Sequence, residues 1–155
     1  MAIMDAKTTF SNQQSVVVSS GGSVVCGSTV WSGAIASGGG QVVDQGKAGD
    51  AVGQELTLKV AAGDVAITGA SASAAIQVVL QTAGNDGISS GSAVDSAFKD
   101  LVLSPVVTVG SAGFKGSLFE CRVPAGAKRY LRVVYKNSGA AITSGTINAY
   151  LTRDL

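Results

Sequence analysis

The closing stretch of the chain, PAGAKRYLRVVYKNSGAAITSGTINAYLTRDL (residues 124–155), contains two segments in which the two faces of a strand can be told apart. Successive side chains of a β-strand point to opposite faces of the sheet. The faces predicted to be buried carry Leu131, Val133 and Tyr135 in the first segment and Ile147, Ala149 and Leu151 in the second. The opposite face of the first segment carries Tyr130, Arg132, Val134 and Lys136. The stretch therefore predicts two half-buried strands joined by a loop.

The preceding residues repeat this rhythm of short apolar runs separated by clusters of Gly, Ser, Ala, Asn and Asp. Turn residues are explicit in Asn85-Asp86-Gly87 and around Pro124 and Gly126. No run shows the apolar spacing of a helix. The predicted strands are 15–19, 23–30, 41–44, 54–61, 75–82, 99–109, 117–123, 129–136 and 144–153. Many short strands at such spacing are typical of a single all-β sandwich or barrel.

Composition sets further bounds on the fold. A chain of 155 residues with 46% hydrophobic residues is long enough for one core, and its small and β-branched residues favour strands. No apolar run approaches the roughly 18 residues of a membrane helix. The first residues lack the pattern of a secretory signal, so we expect the protein to be made in a cytoplasm, with Cys26 and Cys121 as free thiols.

The sequence offers little for catalysis or metal binding. It has no histidine, which removes the commonest general base and the commonest zinc ligand. Its acidic residues are scattered, and its glycine-rich segments lack the spacing of a phosphate-binding loop. We therefore expect no catalytic residue, no metal, no cofactor and no enzymatic activity.

The closing stretch also concentrates all three tyrosines and five of the 11 basic residues, although the whole chain has a net charge of only +1. Three kinds of surface fit such a concentration: a groove for single-stranded nucleic acid, a sugar-binding face and a protein contact surface. Trp31 is a second candidate for sugar binding, and it could equally cover the core. Composition alone leaves these alternatives open.

The first residues form a second candidate contact segment. Ile3, Met4 and Phe10 are apolar, yet polar residues between them interrupt any helical or strand pattern. Apolar side chains on an irregular terminus are expected to be covered by something. We therefore divide the chain into an N-terminal arm, residues 1–14, and a β-sandwich domain, residues 15–155. The arm either contacts a partner or folds onto its own sandwich as an edge strand.

Both ends of the chain resemble a known family. The opening MAIMDAKTTFSNQQSV and the closing AGAKRYLRVVY and SGTINAYLTRD resemble the capsid cement, or decoration, proteins of tailed phages of the short-tailed Bordetella-phage type. The matching positions at the closing end are Gly126, Arg129, Tyr130, Leu131 and Arg132, followed by Gly145, Ile147 and Ala149. The resemblance covers about the first 15 and the last 35 residues, and the middle is similar only in composition and strand rhythm.

The resemblance implies a jelly-roll-like β-sandwich of about eight strands on the outer surface of a virion head. Such a protein bridges and stabilises subunits of the major capsid protein, as a homo-oligomer in which a dimer is favoured and a trimer is possible. The resemblance transfers no catalytic residue and implies neither a nucleic-acid nor a membrane partner. The partner contacts expected from it are Ile3, Met4, Phe10, Arg129, Tyr130, Arg132 and Lys136. A carbohydrate-binding jelly-roll module for host adhesion is the main alternative, and a single-strand nucleic-acid binder is the third.

Overall fold

The computed structural model describes residues 9–26, 42–45, 56–90 and 92–153, with only the backbone at residues 92 and 153. Fourteen β-strands and two 3-10 turns make up the regular structure of this part of the chain. The first strands are β1 (Thr9–Ser15), β2 (Ser23–Val25), β3 (Val43–Asp44), β4 (Leu56–Ala62), β5 (Thr68–Gly69), β6 (Ala75–Ala83) and β7 (Ile88–Ser89). The later strands are β8 (Ser92–Ala93), β9 (Lys99–Leu103), β10 (Val107–Thr108), β11 (Ser117–Arg122), β12 (Tyr130–Asn137), β13 (Ile142–Ser144) and β14 (Thr146–Arg153). The 3-10 turns are Asn85–Gly87 and Asp95–Ala97.

The prediction of an all-β chain is confirmed, since the described residues contain no α-helix and all strand pairs are antiparallel. One sheet has the order β1-β14-β4-β11. The second has the order β10-β6-β12-β2, with β9 beside β10 along β6 and β3 beside β2 along β12. Two further two-stranded pairs, β13-β5 and β7-β8, lie outside these sheets.

The ten strands of the two larger sheets reduce to eight positions when β2 with β3, and β9 with β10, are each counted as one interrupted strand. Numbered along the chain, these positions lie in the order 1-8-3-6 in the first sheet and 2-7-4-5 in the second. Pro105 interrupts the predicted strand 99–109 between β9 and β10, as expected for a residue without an N–H donor on an edge strand.

The two sheets pack against each other around one apolar core. Side chains of β1, β4, β11 and β14 from the first sheet meet those of β6 and β12 from the second in a single cluster. Leu131, Val133 and Tyr135 point into this core, as do Ile147 and Ala149, so the predicted inner faces are confirmed. Most of the buried residues are Val, Leu, Ile and Ala, which pack well between pleated sheets.

The beginning of the sandwich differs from the expectation. Residues 15–19 were predicted as the first strand, but the strand is Thr9–Ser15, and it pairs with β14. The expected boundary between arm and domain after residue 14 thus falls inside β1. The register of β1 shifts twice, and Gln13 has a φ of +50°. These irregularities turn polar side chains inward, so the segment lacks the alternation that would have marked it as a strand.

A candidate interaction face on the second sheet

The outer face of the second sheet carries the basic residues that the sequence singled out. Tyr130, Arg132, Val134 and Lys136 alternate with the core residues of β12, so the prediction of a shared outer face is correct. The neighbouring strand β6 contributes Gln81, which pairs in register with Arg132. Basic side chains therefore lie on this face with a polar neighbour beside them.

Most of this face is covered by the chain itself. Residues 84–90 and 92–98, named here the strap, connect β6 to β9 and include both 3-10 turns and the β7-β8 pair. Phe98 of the strap, Tyr130 of β12, Val42 and Ala83 form a second apolar cluster, separate from the main core, with Ile88 and Ala93 at its margin. Tyr130 retains only 6% of its surface. Tyr130, which was expected to contact a partner, is thus engaged in an intramolecular contact.

Arg132 is the most deeply buried charged residue in the described part of the chain, with 5% of its surface exposed. Its Nε donates to Gln81 Oε1 at 2.8 Å, and its Nη1 donates to Asp95 Oδ1 in the strap. Its guanidinium carbon lies 4.1 Å from the centroid of the Phe98 ring, within the range of cation–π attraction. The expectation that Arg132 is available to a partner needs correction, because the strap already occupies its guanidinium.

Arg129 lies at the entrance of β12 and is about one-third exposed. Its Nε and Nη2 donate to the two carboxylate oxygens of Asp44 at 2.9 and 2.8 Å, in the two-pronged geometry that favours arginine over lysine. A third donor, Nη1, lies 3.4 Å from Asn85 Oδ1, and the guanidinium stacks 4.9 Å from the Tyr130 ring centroid. The hydrogen bonds to Asp44 raise the pKa of Arg129 above its ordinary value.

Lys136 is paired at the opposite end of the same strand face. Its Nζ lies 3.2 Å from Asp100 Oδ2, with both side chains about 40% exposed. Gln81 donates from Nε2 to the other oxygen, Asp100 Oδ1, at 2.7 Å. The hydrogen bond from Gln81, with a smaller contribution from Lys136, lowers the pKa of Asp100 despite partial burial. Gln81 therefore links the Lys136–Asp100 pair to the Arg132–Asp95 pair.

The acidic partners Asp44, Asp95 and Asp100 were not recognised from the sequence, where they appeared as scattered surface charges. Each lies far along the chain from its basic partner, with separations of 85, 37 and 36 residues. In the sequence, each of these carboxylates stands alone in or near a predicted turn or edge strand. This position does not indicate which basic residue it pairs with. Only the strand register brings the charges together.

The remaining predicted contact residues divide into two groups. Phe10 is fully buried in the main core, so its side chain has no free surface for a partner in this fold. Ile3 and Met4 lie outside the described residues, as does Trp31. Neither cysteine forms a disulfide bond, as predicted, but only Cys26 is buried, whereas Cys121 is partly exposed.

The described surface contains few other candidate features. Val17, Val65, Leu103 and Val106 are the large apolar side chains that are about half exposed there. The described residues contain no group of three or more metal-ligating side chains. Within the same residues, no helix has the length and apolar character needed to cross a bilayer. No protein-family model and no curated protein sequence matches the chain.

Proposed function

We propose that this protein is a structural capsid decoration protein that binds the outside of a tailed-phage head. In this role it bridges neighbouring major capsid protein subunits and has no catalytic turnover. It acts as a homo-oligomer, for which a dimer is favoured over a trimer. Many modest contacts suffice for such a protein because a shell lattice multiplies them.

The observation that carries the proposal is the strand order. Sheets ordered 1-8-3-6 and 2-7-4-5 support the proposal of a jelly roll, a fold of two packed sheets with eight strands. The terminal sequence motifs imply this fold through their resemblance to decoration proteins, whereas the strand rhythm alone leaves sandwich and barrel open. Two independent lines of reasoning therefore agree. A fold by itself does not determine function, so the motifs are needed to connect it with a capsid.

The charge arrangement modifies the expected contact. Arg129, Arg132 and Lys136 each have a carboxylate partner within their own chain. A shell contact through this face would have to compete with these pairs, so we expect charge to contribute less to shell binding than the basic composition of β12 suggests. Ile3 and Met4 stay among the proposed contacts.

The test is co-sedimentation of the purified full-length protein with empty heads assembled from the major capsid protein encoded with it. Shells of an unrelated coat protein serve as the control. We expect saturable binding at a fixed ratio to coat subunits and a higher temperature of shell disruption. Absence of binding at every protein and salt concentration would refute the proposal. If the protein does not bind the heads but does bind to a glycan array, the carbohydrate-binding alternative would be favoured.

The burial of Tyr130 and Arg132 argues against the nucleic-acid alternative. It required Tyr130 and Arg132 on an open strand face, and both are at least 94% buried. Stacking of bases needs an accessible ring face. The Tyr130 ring instead packs in the second apolar cluster and beneath Arg129.

A further inference from the structure

The strap begins and ends at neighbouring positions in the sheet. Thr82 of β6 pairs with Lys99 of β9, and both strands continue antiparallel from there. A two-residue turn would be enough to connect two such strands. The chain instead inserts a loop of Ω type, whose ends lie close together and which packs through its own side chains. The geometry of its ends would allow the strap to move as a unit without changing the pairing of β6 with β9.

The strap has an internal framework of backbone hydrogen bonds. Gly87 N–H donates to Gly84 O, Val94 N–H to Gly87 O, and Phe98 N–H to Asp95 O. The two short strands β7 and β8 pair with each other. Among the described residues, the backbone-to-backbone hydrogen bonds of the strap all join one part of the strap to another. Its attachment to the sheet therefore depends on side chains.

Hydrogen bonds from Arg129 to Asn85 and from Lys99 to Ser96 join the strap to neighbouring strands. Two further side-chain contacts carry most of the attachment. The first is the ion pair between Asp95 and Arg132, together with the stacking of Arg132 on Phe98. The second is the apolar cluster of Phe98, Tyr130 and Ala83, against which the backbone of Gly87 packs closely. A Cβ added at Gly87 would lie 2.6 Å from the Ala83 Cβ and 3.2 Å from Tyr130 Cδ2. The close approach thus requires the absence of a side chain at this position.

We propose that the strap is a hinged cover, held closed by the Asp95–Arg132 ion pair, which opens as a unit while the sandwich remains folded. Opening of this kind is a local unfolding event with a lower free energy than global unfolding. It exposes the Arg132 guanidinium beside the Tyr130 ring, a combination suited to a carboxylate-bearing partner. The device is a property of the chain alone and does not depend on the capsid function.

The test is amide hydrogen exchange of the full chain, followed residue by residue. In the wild type, Gly87, Val94 and Phe98 of the strap should exchange faster than the core amides of β6 and β12. Asp95→Asn removes the charge that holds the strap, so strap exchange should rise by about two- to fivefold and stay faster than core exchange. Asp86→Asn is the matched control, because Asp86 lies on the strap and has no ion pair among the described residues. It should leave strap exchange at the wild-type rate.

A second variant opens the strap without changing charge. Gly87→Ala introduces a methyl group into the contact with Ala83 and should also raise strap exchange, which stays faster than core exchange. Gly84→Ala is its control, because the added methyl group would meet only flexible side-chain atoms of Asp86 and Lys128. The proposal would be overturned if, in the wild type, the strap amides exchanged no faster than the core amides of β6 and β12. Unchanged strap exchange in Asp95→Asn would overturn it as well.

Discussion

The hydroxyl of Ser11 in β1 lies 2.7 Å from the hydroxyl of Tyr135 in β12, so one hydrogen bond joins the two sheets across the interior of the sandwich. Ser11 also donates to Gln14 Oε1, and Gln14 Nε2 donates to the backbone oxygen of Val25 beside β12. Both Ser11 and Tyr135 are at least 99% buried. This polar chain fixes the irregular first strand against the opposite sheet.

The Ser11–Tyr135 hydrogen bond should make a measurable contribution to the free energy of unfolding. Ser11→Ala leaves a buried phenol without this partner, and we expect the free energy of unfolding to fall by about 1–3 kcal/mol in urea. Ser15→Ala, at the exposed end of the same strand, should change it by less than about 0.5 kcal/mol. Tyr135→Phe should cost less in the Ser11→Ala background than in the wild type. Strictly additive losses would show that the two hydroxyls are not coupled.

Burial of Tyr135 should make stability depend on alkaline pH. Burial, reinforced by Cys26 and opposed by the Ser11 hydrogen bond, raises the pKa of Tyr135 well above its ordinary value of 10.0. Above about pH 10 the unfolded chain ionises this phenol while the folded chain keeps its proton, so the free energy of unfolding falls as pH rises. The decrease should reach about 1.4 kcal/mol per pH unit.

The control for this pH dependence is Tyr135→Phe. This variant should lose the decrease in unfolding free energy that is due to Tyr135 and keep the decrease that is due to other groups. Cys121, whose pKa is raised by burial, is present in both proteins, so its contribution cancels in the difference. Urea unfolding at intervals from pH 8 to pH 11 provides the measurement. Parallel curves for the two proteins would contradict the assignment.

Arg132 should contribute to the stability of the folded chain itself. Arg132→Glu places a carboxylate beside Asp95 and Gln81 in a buried position, and we expect a loss of more than about 3 kcal/mol of stability. Lys136→Glu, on the same strand face but 40% exposed, should cost less than about 1 kcal/mol. Thermal and urea unfolding of both variants would test this. Equal stability of the two variants would mean that the burial of Arg132 is not maintained in solution.

Gly145 should be intolerant of substitution. Its φ is +131°, and a Cβ at this position would lie 2.5 Å from the Ile67 Cα. Gly145→Ala therefore combines backbone strain with a backbone clash and should cost more than about 2 kcal/mol. Gly110→Ala isolates the strain, since Gly110 has a φ of +62° and open space around the added atom. A similar loss of stability in both variants would show that the close contact with Ile67 adds little to the cost at Gly145.

The two thiols should differ in reactivity. Cys26 is fully buried, and its sulfur accepts a hydrogen bond from Val133 N–H at 3.2 Å. Cys121 is partly exposed, but burial raises its pKa and lowers the reactive thiolate fraction. A thiol reagent at pH 8 should label Cys121 more slowly than a free cysteine and label Cys26 only after unfolding. Mass spectrometry after limited labelling, with Cys121→Ser as control, would distinguish the sites.

The sequence by itself determined the all-β class, most strand positions and the inner and outer faces of β12 and β14. These features are local, because side-chain alternation with a period of two and turn residues act over a few positions. β1 was not found in its actual position, since its two register shifts depend on contacts with β14 and Ser11 is a polar residue at a fully buried position.

Only the tertiary structure decided what covers the outer face of the second sheet. Alternation places Arg132 and Tyr130 on that face, but whether the face contacts water, a partner or the chain's own strap is independent of the strand sequence. The carboxylates that pair with Arg129, Arg132 and Lys136 come from β3, the strap and β9, between 36 and 85 residues away. Such pairs form because the fold brings distant charges within hydrogen-bonding distance, and no single turn connects the segments that carry them.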